Sequence, residues 1–149
     1  FRLIVYRNKL DGAEIAAFVT GTIKPERPTL VRVHRVEFPA DILGEPVERS
    51  GLVPRALREI GAEPDGGVMV VLRDGRPDAM SRRFKEEEEH EHEKRAHMLR
   101  EYGLGAQVLR DLGVRRMVLL SNAPQKIIGL EGYGLSVDGW RPFKPLGAV

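Results

Sequence analysis

Apolar residues recur along this chain with two different periods, and the places where one period gives way to the other predict its elements. Phe1 to Tyr6 is rich in β-forming residues, Asn8, Asp11 and Gly12 follow as turn formers, and Ile15 to Val19 resumes strand character. Two such runs about a turn predict an N-terminal β-hairpin. From Thr29 to Val36, apolar Leu30, Val31 and Val33 are interleaved with polar Arg32, His34 and Arg35. That alternation predicts a half-exposed strand whose period of two places Arg32 and His34 on the same side. Pro39 to Pro54 mixes proline, glycine and charge and is expected to be mostly loop, whereas Val53, Ala56, Leu57 and Ile60 share one face of a helix.

Gly66 and Gly67 introduce the continuous apolar run Val68 to Leu72, the pattern of a strand buried on both faces, with Arg73 to Pro77 as the loop at its carboxyl end. Residues 78 to 96 carry no apolar stripe and read as an exposed helix or a mobile acidic loop. Leu99 to Leu112 is amphipathic, with Leu104, Val108 and Leu112 in line, and Gly113 is placed to stop it. A second buried strand, Met117 to Leu120, leads through Ser121-Asn122-Ala123-Pro124 into a short helix, Gln125 to Leu130, and Leu135 to Val137 is the last strand. Strands and helices alternating after a hairpin indicate an α/β (α+β) domain with a mixed β-sheet and flanking helices.

Composition narrows the chemistry. With 149 residues, 42% of them hydrophobic, the chain fits one domain over 1–149. No apolar stretch is long enough for a membrane span and no signal peptide is visible, so a cytoplasmic protein without a membrane partner is expected. The start at Phe1, without an initiator methionine and directly in a strand, reads as the C-terminal part of a longer protein. There is no cysteine, which excludes disulfides, thiolate nucleophiles and cysteine-ligated zinc or iron–sulfur centres. Lysine and arginine number 24 against 22 acidic residues; the run from Lys85 to Arg95 holds six of the acids and three of the bases, leaving the rest of the chain at +5. That balance favours an anionic ligand weakly and gives no reason to expect nucleic acid.

Four groups of residues invite a functional reading. Ser121 to Pro124 combines a strand end with an N-cap and a proline suited to a first helical turn, and Lys126 adds a cation; this is an anion site or an ordinary helix cap. Arg32 and His34 suit phosphate contact, and surface ion pairing accounts for them equally well. His90, His92 and His97 stand among glutamates, but their spacing matches no compact metal site, and a solvated charged face is the simpler reading. Glu37 and Glu48 flank a loop and have the chemistry of hard-cation ligands.

From Arg100 to Val114, and again through Leu119 to Lys126 and Gly129 to Leu135, the sequence closely resembles GTP cyclohydrolase II; Val31-Arg32-Val33-His34, Asp41 and Gly44 carry the likeness into the N-terminal half. The resemblance covers nearly the whole chain and is weakest between Arg73 and Met98. It implies a domain of riboflavin biosynthesis in which a zinc held by three cysteines activates water to open the imidazole ring of GTP. In register, those cysteines fall on Glu37, Glu48 and Ser50. The family's Glu-Gly-Arg nucleotide motif is reduced to Asp74-Gly75-Arg76, and the segment with its catalytic tyrosine is replaced by the acidic run. The arginine that attacks the triphosphate matches Arg100, while the acid two places before it is Met98, which cannot serve as a base. The family's phosphate-side threonine and lysine match Ser121 and Lys126.

The resemblance therefore implies a noncatalytic GTP cyclohydrolase II-like domain, as found C-terminal to a 3,4-dihydroxy-2-butanone-4-phosphate synthase, supporting or regulating that attached or partner enzyme. A homodimer is expected, with no resident cofactor, and with Mg²⁺ only if GTP binds. Two alternatives stay open: a nucleotide-sensing module using Arg32, His34, Arg76, Ser121 and Lys126, and a GTP cyclohydrolase with an altered metal or altered chemistry.

Overall fold

The computed structural model describes residues 1–85, 91–123 and 130–145. Six strands form one mixed sheet: β1 (Arg2–Arg7), β2 (Glu14–Gly21), β3 (Pro28–Arg35), β4 (Gly66–Leu72), β5 (Arg116–Leu120) and β6 (Ser136–Arg141), in the spatial order β1-β2-β4-β3-β5-β6. The hairpin β1–β2 and the pair β2–β4 are antiparallel, whereas β4–β3, β3–β5 and β5–β6 are parallel. β4 and β3 therefore lie at the centre, as the unbroken apolar run Val68 to Leu72 requires of a strand covered on both faces.

Each face of the sheet carries its own core. On one side α2 (Leu52–Gly61) lays Leu52, Ala56 and Ile60 over Leu30, Met69, Leu120 and Phe143. On the other, the long helix α4 (Glu91–Asp111) sets Ala106, Val108 and Leu109 against Val31, Val68, Val70, Met117 and Leu119. Gly113 ends α4 as expected: at φ 94° it takes the left-handed conformation, and the Val114 N–H reaches back to the Leu109 carbonyl at 3.1 Å. The Tyr6 hydroxyl ties β1 to the same helix end, donating to Asp111 Oδ2 at 2.7 Å; burial first, and then this acceptor, pushes its pKa up to about 12.

Where β2 meets β4, Gly21 pairs with Gly66. Both adopt positive φ, and a Cβ on Gly66 would run into the Thr20 carbonyl. Only two residues without side chains let the strands close at this point.

Three expectations about element limits are corrected. The segment 39–54 is not mostly loop: a one-turn helix α1 (Phe38–Asp41), with Pro39 in its first turn, and a 3₁₀ turn, Val47–Arg49, precede α2. The amphipathic helix is already under way at Glu91 rather than starting at Leu99, and residues 93, 95, 96 and 98–100 are exposed, so this stretch has no apolar face to show in the sequence; Ala79–Phe84 forms a further helix, α3, so that the described parts of 78–96 take the exposed-helix form of that expectation. The last strand is Ser136–Arg141 rather than Leu135 to Val137, since an edge strand with one polar face needs no continuous apolar signal. Residues 86–90 of the acidic run, including His90, and the expected helix Gln125 to Leu130 with Pro124 and Lys126 lie outside the described residues, apart from Leu130, which is buried. No helix among the described residues is long and apolar enough to cross a membrane.

Candidate functional site

Two hollows open at the carboxyl ends of the parallel strands. The first, about 470 Å³, has Arg32, Val33 and Arg35 of β3 and Leu119 to Ala123 at the end of β5 along its floor. Trp140 and Phe143 at the end of β6 form one wall, Tyr102 of α4 another, and Glu48, Arg49 and Leu52 lie across the remaining side. The chain leaves β3 for α2 on one face and reaches β5 from α4 on the other, so the crevice between β3 and β5 is where open α/β sheets receive ligands.

Arg32 and His34 do share a side, and they touch. Arg32 Nη2 donates to His34 Nδ1 at 3.2 Å, while His34 Nε2 lies 3.0 Å from both oxygens of Asp41. An imidazole that accepts at Nδ1 carries its proton on Nε2, so His34 is the neutral tautomer, donating to Asp41. One turn of α1 is what folds Asp41 back to this point, and its carboxylate also accepts the Glu37 N–H at 2.8 Å. Burial lowers the His34 pKa; Asp41 opposes that, and the charges of Arg32 and Arg49 reinforce it. Arg32 itself spends a further donor on the Leu120 carbonyl at 3.2 Å and stacks its guanidinium over Phe143, 5.4 Å from the ring centre. Much of its capacity is therefore used in joining β3 to β5.

Ser121 lies in the same cavity. Its hydroxyl is engaged in a local turn with the Ala123 carbonyl (2.9 Å) and N–H (3.2 Å), and Asn122 Oδ1 accepts the Phe143 N–H at 2.9 Å. These bonds draw the segment after β6 over the end of β5.

Arg76 and Arg100 are elsewhere, in a second hollow of about 950 Å³ shared with Arg73, Asp74, His97 and Glu101 and closed by the β1–β2 turn. Arg76 pairs with Asp74, Nη2 to Oδ2 at 2.6 Å. Burial by itself raises the Asp74 pKa, but hydrogen bonds from Arg76 and its charge outweigh burial and hold the carboxyl below its ordinary value. Arg35 and Glu101 divide the two hollows: Arg35 faces the first, Glu101 the second, and Arg35 Nε donates to Glu101 Oε2 at 2.6 Å. His97 Nε2 approaches the other Glu101 oxygen to 2.9 Å but is not aligned with it as a hydrogen bond, leaving both atoms buried without one.

The match to known proteins is decisive at this point: the family model for GTP cyclohydrolase II covers residues 1–142. The chain belongs to the GTP cyclohydrolase II family. It is 40% identical to the riboflavin biosynthesis protein RibBA of Bacillus subtilis (strain 168) over 152 residues, which is 93% of this chain and 38% of that protein. Against RibBA of Aquifex aeolicus (strain VF5) the identity is 37%, over 97% of this chain and 38% of the relative. The monofunctional riboflavin biosynthesis protein RIBA 3, chloroplastic, of Arabidopsis thaliana is 38% identical over 95% of this chain and 30% of its own length. The chain thus spans well under half the length of each of these curated relatives.

The residues in register with the family's zinc cysteines do not fit that metal. Glu37 lies between two arginines, 3.5 Å from Arg49 and 3.7 Å from Arg83, and Phe38 beside it makes an edge-on contact with Phe84 of α3. Glu48 is exposed, and Ser50 offers a neutral hydroxyl. A carboxylate already shared by two guanidiniums, a solvated carboxylate and a hydroxyl lack the soft, charged donors of a tetrahedral thiolate site. Among the described residues no three His, Cys, Asp or Glu side chains are grouped to hold a metal.

Sequence reasoning overlooked Arg35, Glu101, Trp140 and Phe143. For Glu101 the signal was present, four residues after His97 and so on the same helix face. Nothing local marked Phe143, whose neighbours come from β3, β5 and α2.

Proposed function

We propose that this chain is a noncatalytic GTP cyclohydrolase II-type domain of riboflavin biosynthesis, one that supports or regulates an attached or partner 3,4-dihydroxy-2-butanone-4-phosphate synthase and works as a homodimer. The observation that carries the reading is the state of Glu37: the first of the three former cysteine positions is taken up by an ion-paired carboxylate bridging Arg49 and Arg83. Met98 at the base position, 38% exposed, adds a second loss, since a thioether moves no protons. Arg100 keeps the family's nucleophile type, yet the Arg35–Glu101 pair stands between its hollow and that of Arg32 and Ser121. The test is formate release from GTP by the purified chain with Zn²⁺ and Mg²⁺ supplied. None is expected, and turnover that scales with protein concentration would refute the reading.

A second reading, nucleotide sensing without turnover, is favoured by the first cavity. It retains arginines and an aromatic wall at the ligand-receiving end of the sheet, within the 300–1,000 Å³ typical of small-molecule pockets. Calorimetric titration with GTP and Mg²⁺ separates it from a purely structural domain, which would release no binding heat.

A further inference from the structure

The sheet has two edges, and they are protected unequally. Edge strand β6 carries Asp138, tied to Arg116, with Gly139 beside it, shifts register against β5 between Met117 and Val118, and runs into Pro142. Charge, irregularity and proline are the means by which an edge is kept from pairing with another chain. The other edge, β1, has none of them between its ends: Leu3-Ile4-Val5-Tyr6 is wholly β-forming and in unbroken register with β2, with an arginine at either end of the strand. Among the described residues nothing pairs with its outer side. Helix α2 packs over β3 and β4 and leaves the near face of β1 open, so that Leu3 and Val5 are 58% and 57% exposed, whereas Ile4 and Tyr6 point the other way and pack against the core under α4.

A second copy of the same strand fits this pattern. Laid antiparallel about a twofold through Ile4, Leu3 stands opposite Val5 of the second copy, and Arg2 opposite its Tyr6, whose hydroxyl donates to Asp111. Apolar then meets apolar on the α2 face, and on the α4 face a guanidinium meets a ring backed by a carboxylate. Sliding the strands by one residue mismatches their faces and, in one direction, sets Arg2 against Arg7; sliding them by two sets an arginine against Leu3 or Ile4. We infer that β1 is the interface of a homodimer, pairing antiparallel with β1 of a second copy about Ile4 and joining the two six-stranded sheets into one. The inference rests on the homodimer of the proposed function and says where its two copies meet. One strand a side is a small contact, so exchange between monomer and dimer at concentrations on the order of 10 μM is expected.

The experiment is sedimentation velocity of the full chain, of L3R and of V5R from about 1 to 200 μM, with a crosslinking arm in which L3C and V5C are mixed and oxidised. The wild type should form a reversible dimer. Because the twofold makes each substitution remove two symmetry-related pairs, either arginine variant should dimerise about tenfold more weakly. The chain has no cysteine, so the introduced thiols report alone. Directly opposite residues lie within disulfide reach and diagonal ones beyond it, so L3C should crosslink to V5C in preference to itself. That arm tests the register even where an arginine variant fails to fold. A dimer indifferent to L3R and V5R, or crosslinks without preference for the mixed pair, overturns the interface and leaves the homodimer standing. A monomer throughout the range overturns the homodimer and this inference with it.

Discussion

Phe143 offers the sharpest test of how the cavity is built, because it follows β6 and yet belongs to the core. It is 6% exposed, packs with Leu30, Leu52, Met69 and Leu120, and carries Arg32 and Arg55 at 5.4 and 5.1 Å from its ring centre. Removing a buried phenylalanine down to alanine costs about 3–5 kcal/mol through lost transfer energy and the cavity left behind. The two guanidiniums add about 0.5–1 kcal/mol each, part of it already counted when the ring goes. F143A is therefore expected to destabilise by about 4 kcal/mol, a large share of the roughly 5–15 kcal/mol that holds a domain together. F143L keeps most of the volume and loses the aromatic face, so about 1–2 kcal/mol is expected of it. In urea, with a slope of about 2 kcal/mol per molar, these costs shift the midpoint by about 2 M and somewhat under 1 M, at unchanged slope. A shift below about 0.5 M for F143A would refute the claim that the segment after β6 is part of the core.

Three further outcomes follow from the geometry. His34 is buried neutral with a lowered pKa, so the unfolded chain takes up a proton that the folded chain refuses. Its contribution to stability is complete above its unfolded value of about 6.5 and is lost as pH falls from there toward the lower folded value, with a slope of up to about 1.4 kcal/mol per pH unit; urea titrations from pH 8 to 5 should show this component in the wild type and lack it in H34Q. R35M leaves the Glu101 carboxylate, 7% exposed, without its cation, and a cost of about 3 kcal/mol is expected by thermal or chemical unfolding; combining it with E101Q should recover part of that loss, and strict additivity would contradict the coupling. G66A must place a Cβ against the Thr20 carbonyl at positive φ and should lower the melting temperature by more than 10 °C, or prevent folding altogether, corresponding to a loss of about 3 kcal/mol or more; G132A, with open space around it, should melt within about 3 °C of the wild type.

The parts of the fold legible in the sequence are those where burial imposes a period. Val68 to Leu72 and Met117 to Leu120 had to be interior strands, and Ala56 and Ile60 had to face a sheet. The N-terminal end of α4 was legible only as an exposed helix or an acidic loop, because a solvated helix has no apolar face to encode its continuity with the packed turns that follow. At the site, the period of two in β3 was enough to put Arg32 and His34 together. It could not show that Asp41 returns to close the triad, since that depends on one turn of helix at Phe38–Asp41 inside a proline- and glycine-rich segment. Nor could spacing separate Arg100 from Ser121: Arg100 on α4 lines the second hollow and Ser121 after β5 the first, with the Arg35–Glu101 ion pair between them.

The meeting of Gly21 and Gly66 separates what the sheet demands from what a ligand would demand. A side chain at Gly66 would run into the Thr20 carbonyl and one at Gly21 into the Asp65 carbonyl, and neither glycine lines the two hollows at the carboxyl ends of the strands. A change at either position is therefore felt as a failure to close the sheet, and any loss of function that accompanies it reports on two backbones in contact rather than on the chemistry of the hollows.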